Sequence, residues 1–229
     1  IPKKLNFDMN KFKKFQNKII YIVVDDTVES IKKKHLWGES LVEQHQRNSI
    51  TRGLKNCLDN DLVVLSDVDE IPDLTKLNIF NKNNRYAVFS QKMFNFKLNL
   101  LNNTEPNWHG SKICLKKNLK SPQWLRNLKF KKYPFWRIDK PRNLQIIENG
   151  GWHFAYLQSP KNISKKIKSF SHGEFNTKDF TDEVNIEEKI KLKKDIFNRG
   201  YSYSKVEIDN TFPKYIIENK EKLKDWILK

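Results

Sequence analysis

The stretch DNDLVVLSDVDEIPD, residues 59–73, constrains the fold more than any other part of the chain. Its apolar run Leu62–Leu65 is too short for a helix and is half β-branched, so it predicts a central strand. Six carboxylates surround that run, with no Lys or Arg among them. Upstream, KIIYIVVDD (18–26) reads as a second buried strand ending in two acids. Residues 37–58 read as a helix, because Trp37, Leu41, Ile50, Leu54 and Leu58 recur at helical spacing. Strand, helix, strand in this order predicts a βαβ unit and a parallel pair.

Later segments mix the two periods. Pro72 is expected to start a short helix through Phe80, and 85–99 alternates as strands, with another at 108–117. Ser-Pro at 121–122 signals a helix over 121–130. IIENGGWHFAYL (146–157) reads as two strand segments broken by Gly150 and Gly151. A helix follows over 159–170 with Ser159 as N-cap, another over 182–199 stopped by Gly200, and a last one from Pro213. The sum is an α/β chain, mixed in its later part, forming one compact domain over residues 1–229.

Composition narrows the function classes. Of 229 residues, 38% are hydrophobic and 12% aromatic, too apolar for a disordered chain. No window approaches 18 consecutive apolar residues and no signal-peptide pattern is present, so no transmembrane segment is expected in this chain. Cys57 and Cys114 fit neither a disulfide framework nor a zinc site and read as inert thiols. The formal charge of +17 invites a nucleic-acid reading. The bases, however, are spread along a chain rich in Lys, Asn, Ile and Phe, so a solvated basic surface is favoured and no nucleic-acid partner is expected. Their distribution is more informative: 20 residues should hold about four bases, yet 56–75 and 143–160 hold none.

Both basic-free windows carry chemistry. Asp67 and Asp69 are two apart and would share a face of an extended segment. Two carboxylates so placed suit a hard divalent cation, Mn2+ or Mg2+, which in turn can bridge to a diphosphate. The competing reading of the triplet is a solvated acidic turn that caps the next helix.

DNDLVVLSDVDEIP, preceded by LWGESLVEQHQRNSITRGL, resembles glycosyltransferase family 17, which includes a β-1,4-mannosyl-glycoprotein 4-β-N-acetylglucosaminyltransferase. KIIYIVVDD, NGGWHFAYLQSPKNISKKIKSFSHGEFN and FPKYIIENKEKLKDWIL fit the same family in order, so the resemblance covers nearly the whole chain. It implies a GT-A-like α/β domain with a mixed, mainly parallel central sheet flanked by helices. It also implies an N-terminally truncated chain, because family members open with a strand ahead of IPKKLNF. The implied reaction is inverting transfer of a sugar, GlcNAc foremost, from a UDP-sugar to a glycan hydroxyl. On that reading Asp67, Asp69, Glu70, Asp25 and His153 face the donor, with Asp26 beside them, and Asp67, Asp69 and His153 hold the metal. Glu70 has an alternative role as a helix cap. Trp108, His109 and Trp152 face the acceptor, and Glu174 or Glu148 is the general base. Lys165, Lys166 and Lys168 read as solvated, with one able to touch phosphate. Two alternatives are a metal-dependent phosphodiesterase or nuclease and an inactive glycan-binding remnant.

Overall fold

The computed structural model describes residues 7–26, 35–36, 39–131, 133–138, 140–168 and 177–229. Among these the strands in chain order are His35–Leu36 (β1), Glu39–Ser40 (β2), Leu62–Leu65 (β3), Glu70–Pro72 (β4), Tyr86–Asn95 (β5), Leu100–Asn102 (β6), Asn107–Leu115 (β7), Leu144–Ile147 (β8), Gly151–Ala155 (β9) and Tyr203–Lys205 (β10). β1 and β2 form a small antiparallel ladder, and the other eight make one sheet.

That sheet corrects the expected topology. β3 exists where the apolar run placed it, but its partner is β7, antiparallel, with Val64 opposite Ile113. β5 is the hub. It pairs antiparallel with β6 and β7 and parallel with β8 and β9. The pairs β4 with β9 and β10 with β6 are antiparallel as well. The sheet is therefore mixed but mostly antiparallel. The reason lies in the connections: a parallel pair needs a long crossover, and only the passage from β5 to β8 and β9 provides one within the hub.

Residues 19–26 form no ladder among the described residues, although they read as a buried strand. Ile20 is 70% exposed, and β3 ends the sheet's hydrogen-bonded path. Apolar content signals a strand only where a partner edge is available. The helix expected at 37–58 is Leu41–Ser49, continued as a 3-10 turn through Ile50–Leu54; Trp37 lies outside the described residues. Pro72 ends β4 instead of starting a helix. Asp73 caps the 3-10 segment Leu74–Ile79, its carboxylate accepting from Thr75 N at 3.1 Å. The expected helix at 182–199 stops at Lys191, and the last helix is the short Lys214–Glu218.

Other signals survive intact. Ser121 caps Pro122–Asn127 by accepting from Trp124 N at 3.1 Å. Ile163 and Ile167 of Pro160–Lys168 are buried against Ile186 and Ile190 of Glu183–Lys191. Alternation along β5 splits the core. Ala87 and Phe89 pack with Ile113, Ile147 and Phe80, while Tyr86 packs with Cys114 and Leu125 on the opposite face. Cys114 is fully buried, and burial pushes its thiol up to about 11; Cys57 is half-buried and also free. Among the described residues no helix is long and apolar enough to cross a membrane.

Candidate active site

β3 delivers the chain to the acidic stretch, which is a turn and not an extended segment. Glu70 N donates to Asp67 O at 3.0 Å, leaving Val68 fully exposed at the tip. The turn still aims both aspartates into one cavity of about 440 Å³. Their side chains are each about one-third accessible.

Glu70 is not the helix cap that was its alternative reading; its carboxylate is turned inward behind the aspartate turn. It is 7% exposed and is held by three donors: Trp108 Nε1 at 2.8 Å, Asp67 N at 3.1 Å and Ser111 Oγ at 3.3 Å. Ser66 and Ser111 hydroxyls lie 2.5 Å apart, and Gln91 Nε2 donates to Ser111 at 3.1 Å. A buried carboxylate is tolerated only when its lone pairs are met in this way. The convergence requires Gly110: a Cβ there would lie 2.9 Å from Glu70 Cδ and closer still to Gln91 Oε1. Gly110 also sits where the β5–β7 register shifts, between the pairs at Val88 and Ser90. Such bulges re-aim side chains beside functional sites.

The second basic-free window packs directly on this turn. β4 pairs with β9 so that Glu70 faces His153, and Phe154 N donates to Asp69 O at 2.9 Å. His153 Nε2 lies 3.5 Å from Asp69 Oδ2. The hydrogen bond from His153 holds the Asp69 carboxyl below the usual carboxylate range, against the opposing effect of burial. Among the described residues His153 Nδ1 is buried without a hydrogen-bond partner, and the ring lies tilted 5.0 Å from that of Trp108. Gly151, with φ of 134°, serves the protein's own backbone: a Cβ there would lie 2.1 Å from Ile71 O. Close packing of β9 on β4, and not ligand approach, explains that glycine.

Sequence reasoning missed most of the opposite wall. Arg126, Glu105, Tyr201 and Arg199 line the cavity with Lys166, one of the three lysines flagged on its helix. Arg126 Nε donates to Asp67 Oδ2 at 3.0 Å. Lys166 lies over the Tyr156 ring at 4.7 Å. Arg199 is fixed by Asp195 through two side-chain bonds of 3.0 and 3.1 Å. The cations that the two windows exclude from the sequence are thus returned to the site by folding.

A second cavity, about 880 Å³, adjoins the first and shares Trp108 and Arg126 with it. Lys112, Lys129, Lys131 and His109 line it, and among the described residues no carboxylate does. Lys112 is 4% exposed, and its Nζ donates to Arg126 O at 2.6 Å.

The remaining candidates lie elsewhere. Asp25 is exposed, while Asp26 is tied to Arg52 at 2.5 Å and His45 at 3.2 Å. Trp152 points to the face of β9 opposite His153, lines a separate cavity with Thr211 and donates to Thr211 O at 3.0 Å. Glu148 is exposed at the end of β8, outside both cavities, with its carbonyl bound by Lys76 Nζ. Glu174 lies outside the described residues.

Among the described residues no group of three or more His, Cys, Asp or Glu side chains converges as a metal cage. Two accessible carboxylates on one cavity do fit a hard cation whose coordination is completed by ligand oxygens, the usual habit of Mg2+ at phosphate sites.

No curated protein and no solved structure shows a significant match to the chain. The family model for glycosyltransferase family 17 matches residues 1–111, which include β3, the Asp67–Glu70 turn and most of β7. Over residues 1–111, just under half of its length, the chain matches glycosyltransferase family 17.

Proposed function

We propose that the chain transfers a sugar from a UDP-sugar, UDP-GlcNAc foremost, to a glycan hydroxyl with inversion, and that residues 1–229 act as one catalytic domain. The observation that carries this reading is the turn at the end of β3. It opens Asp67 and Asp69 into a cavity that Arg126, Lys166 and Arg199 also line. Opposed charges across one small cavity suit a substrate that joins a diphosphate to a neutral sugar. The halves of the chain share this cavity, since Arg126, His153, Lys166 and Arg199 all lie beyond residue 111.

Asp67 and Asp69 would hold a Mn2+ or Mg2+ ion, which when bound supplies neutralisation of the departing diphosphate. His153 orients Asp69 and keeps it ionised, so it acts as a positioning residue and not as a third ligand. Trp108 offers an indole face at the junction of the two cavities while its N–H fixes Glu70. Arg126, Lys166 and Arg199 receive negative charge as the sugar–phosphate bond breaks. In a single displacement the acceptor oxygen loses its proton to a carboxylate and bonds the anomeric carbon on the face opposite the leaving UDP. Glu105, on the cavity rim beside Tyr201, is the described carboxylate placed for that proton; Glu174 is the candidate named from sequence.

The test is UDP release from a panel of UDP-sugars with Mn2+ and glycan acceptors. Metal-dependent turnover that disappears in Asp69→Asn supports the reading. Hydrolysis of a nucleic acid without any UDP-sugar turnover overturns it.

A further inference from the structure

We infer that the larger cavity, walled by Lys112, Arg126, Lys129 and Lys131, is a phosphate-binding cleft that works without a metal and serves the adjoining transfer pocket. This rests on the proposed transferase reading for its purpose, but not for its physical basis.

Three observations carry it. Among the described residues the cleft's charged lining is of one sign, and neither Lys129 nor Lys131 has a carboxylate within ion-pair distance. Low-dielectric walls of one sign focus field and concentrate anions. One of the cations is buried. Lys112 has an ammonium withdrawn from water, held by Arg126 O and by the nearby charges of Glu70 and Asp67, so a fixed positive charge is built into the cleft floor. Its bond to Arg126 O also fixes the start of the segment that carries Lys129 and Lys131, so the three bases are set from one point. Finally, Arg126 is common to both cavities and sits 3.0 Å from Asp67. An anion in the cleft that engages the guanidinium draws it from Asp67 and leaves that carboxylate open to a cation. Phosphate in one cavity and metal in the other therefore favour each other.

The phosphate has two possible sources: the donor's diphosphate, or a phosphate carried by the acceptor. Both present the same chemistry to the cleft.

The experiment is calorimetric titration of inorganic pyrophosphate into the protein in EDTA, for wild type, Lys129→Gln/Lys131→Gln and Asp69→Asn. The expected result is binding to wild type and Asp69→Asn, weakened about tenfold or more in the double lysine variant. Both lysines are exposed, and an unchanged melting temperature confirms that the loss is local. Repeating the titration with UDP and Mn2+ present separates the sources. Competition between UDP and pyrophosphate assigns the cleft to the donor; simultaneous binding, still dependent on Lys129 and Lys131, assigns it to a phosphorylated acceptor. Pyrophosphate affinity equal in wild type and the double lysine variant, or no binding at all, overturns the inference. Failure of the transferase reading would appear separately, as pyrophosphate binding without UDP-sugar turnover.

Discussion

The two cavities that meet at Trp108 and Arg126 are built in opposite ways. The smaller is cut into the sheet: its acids sit on a turn fixed by β4–β9 pairing and by the buried network of Glu70, Ser111 and Gln91. The larger is walled mainly by the segment from Arg126 to Lys131, which leans on a buried lysine of β7, with Trp108, His109 and Gln44 completing it. The first is rigid and mixed in charge, as bond-breaking chemistry demands of groups that must not reorganise. The second is cationic and flanked by exposed side chains, as suits capture of an anion. The contrast explains how a protein of charge +17 keeps acids at its centre: the bases stand around the carboxylate turn and not within its sequence.

Substitutions that separate the cavities test this division, and the largest effect belongs to the smaller one. Asp69→Asn is expected to remove measurable turnover while leaving pyrophosphate binding in EDTA unchanged; parallel loss of both would merge the two cavities into one functional unit. Glu105→Gln should lower kcat about 100-fold or more, the range of general-base loss, with UDP affinity intact. Glu174→Gln measured beside it shows which carboxylate takes the proton. Gly110→Ala should cost about 1–3 kcal/mol in urea unfolding, because the new Cβ forces Glu70, Gln91 and Trp108 apart. Its damage should fall on turnover far more than on pyrophosphate binding.

The smallest effect is one of pH and belongs to the basic cleft. Burial first, helped by Arg126 and Arg47 and opposed by Glu70 and Asp67, lowers Lys112 to about 8. The ammonium is charged below that value and neutral above it, so the cleft loses one positive charge as pH rises from 7 to 9. Pyrophosphate affinity should fall by about threefold over that interval beyond any effect of the ligand's own titration, and Lys112→Met should flatten the difference.

How much of this was legible in the sequence follows from the range of each interaction. Signals that act within a few residues were readable: the Ser121 cap, the helix at 160–168, the break at Gly150 and Gly151, and the strand at 62–65. The two basic-free windows were legible as carriers of chemistry, but the β4–β9 pairing that joins them was not, since Pro72 read as a helix start. Pairing partners were not readable. Whether β3 meets residues 19–26 or β7 is decided by long-range contacts, and a strand's periodicity is the same with either neighbour. The site divided along the same line. Asp67 and Asp69 were named from local pattern, and Glu70, Trp108 and His153 from what the family resemblance implies; all five line the smaller cavity. Arg126, Arg199 and Glu105 were missed, since each is an ordinary charged residue until the fold turns it inward. Trp152 and His153 are neighbours in sequence, yet alternation along β9 sends them to different cavities. Glu70 read as a donor-facing acid or a helix cap, and nothing in the local sequence announces the indole and hydroxyl that bind it.

The central claim is that the Asp67–Asp69 turn binds a divalent ion together with a sugar nucleotide. Titration of Mn2+ followed by the electron paramagnetic resonance of the free ion tests it most directly, in the presence and absence of UDP. The account predicts one ion taken up per chain, tightly only when UDP is present, with uptake lost in Asp69→Asn. Equal uptake by wild type and Asp69→Asn, with UDP making no difference, would contradict it.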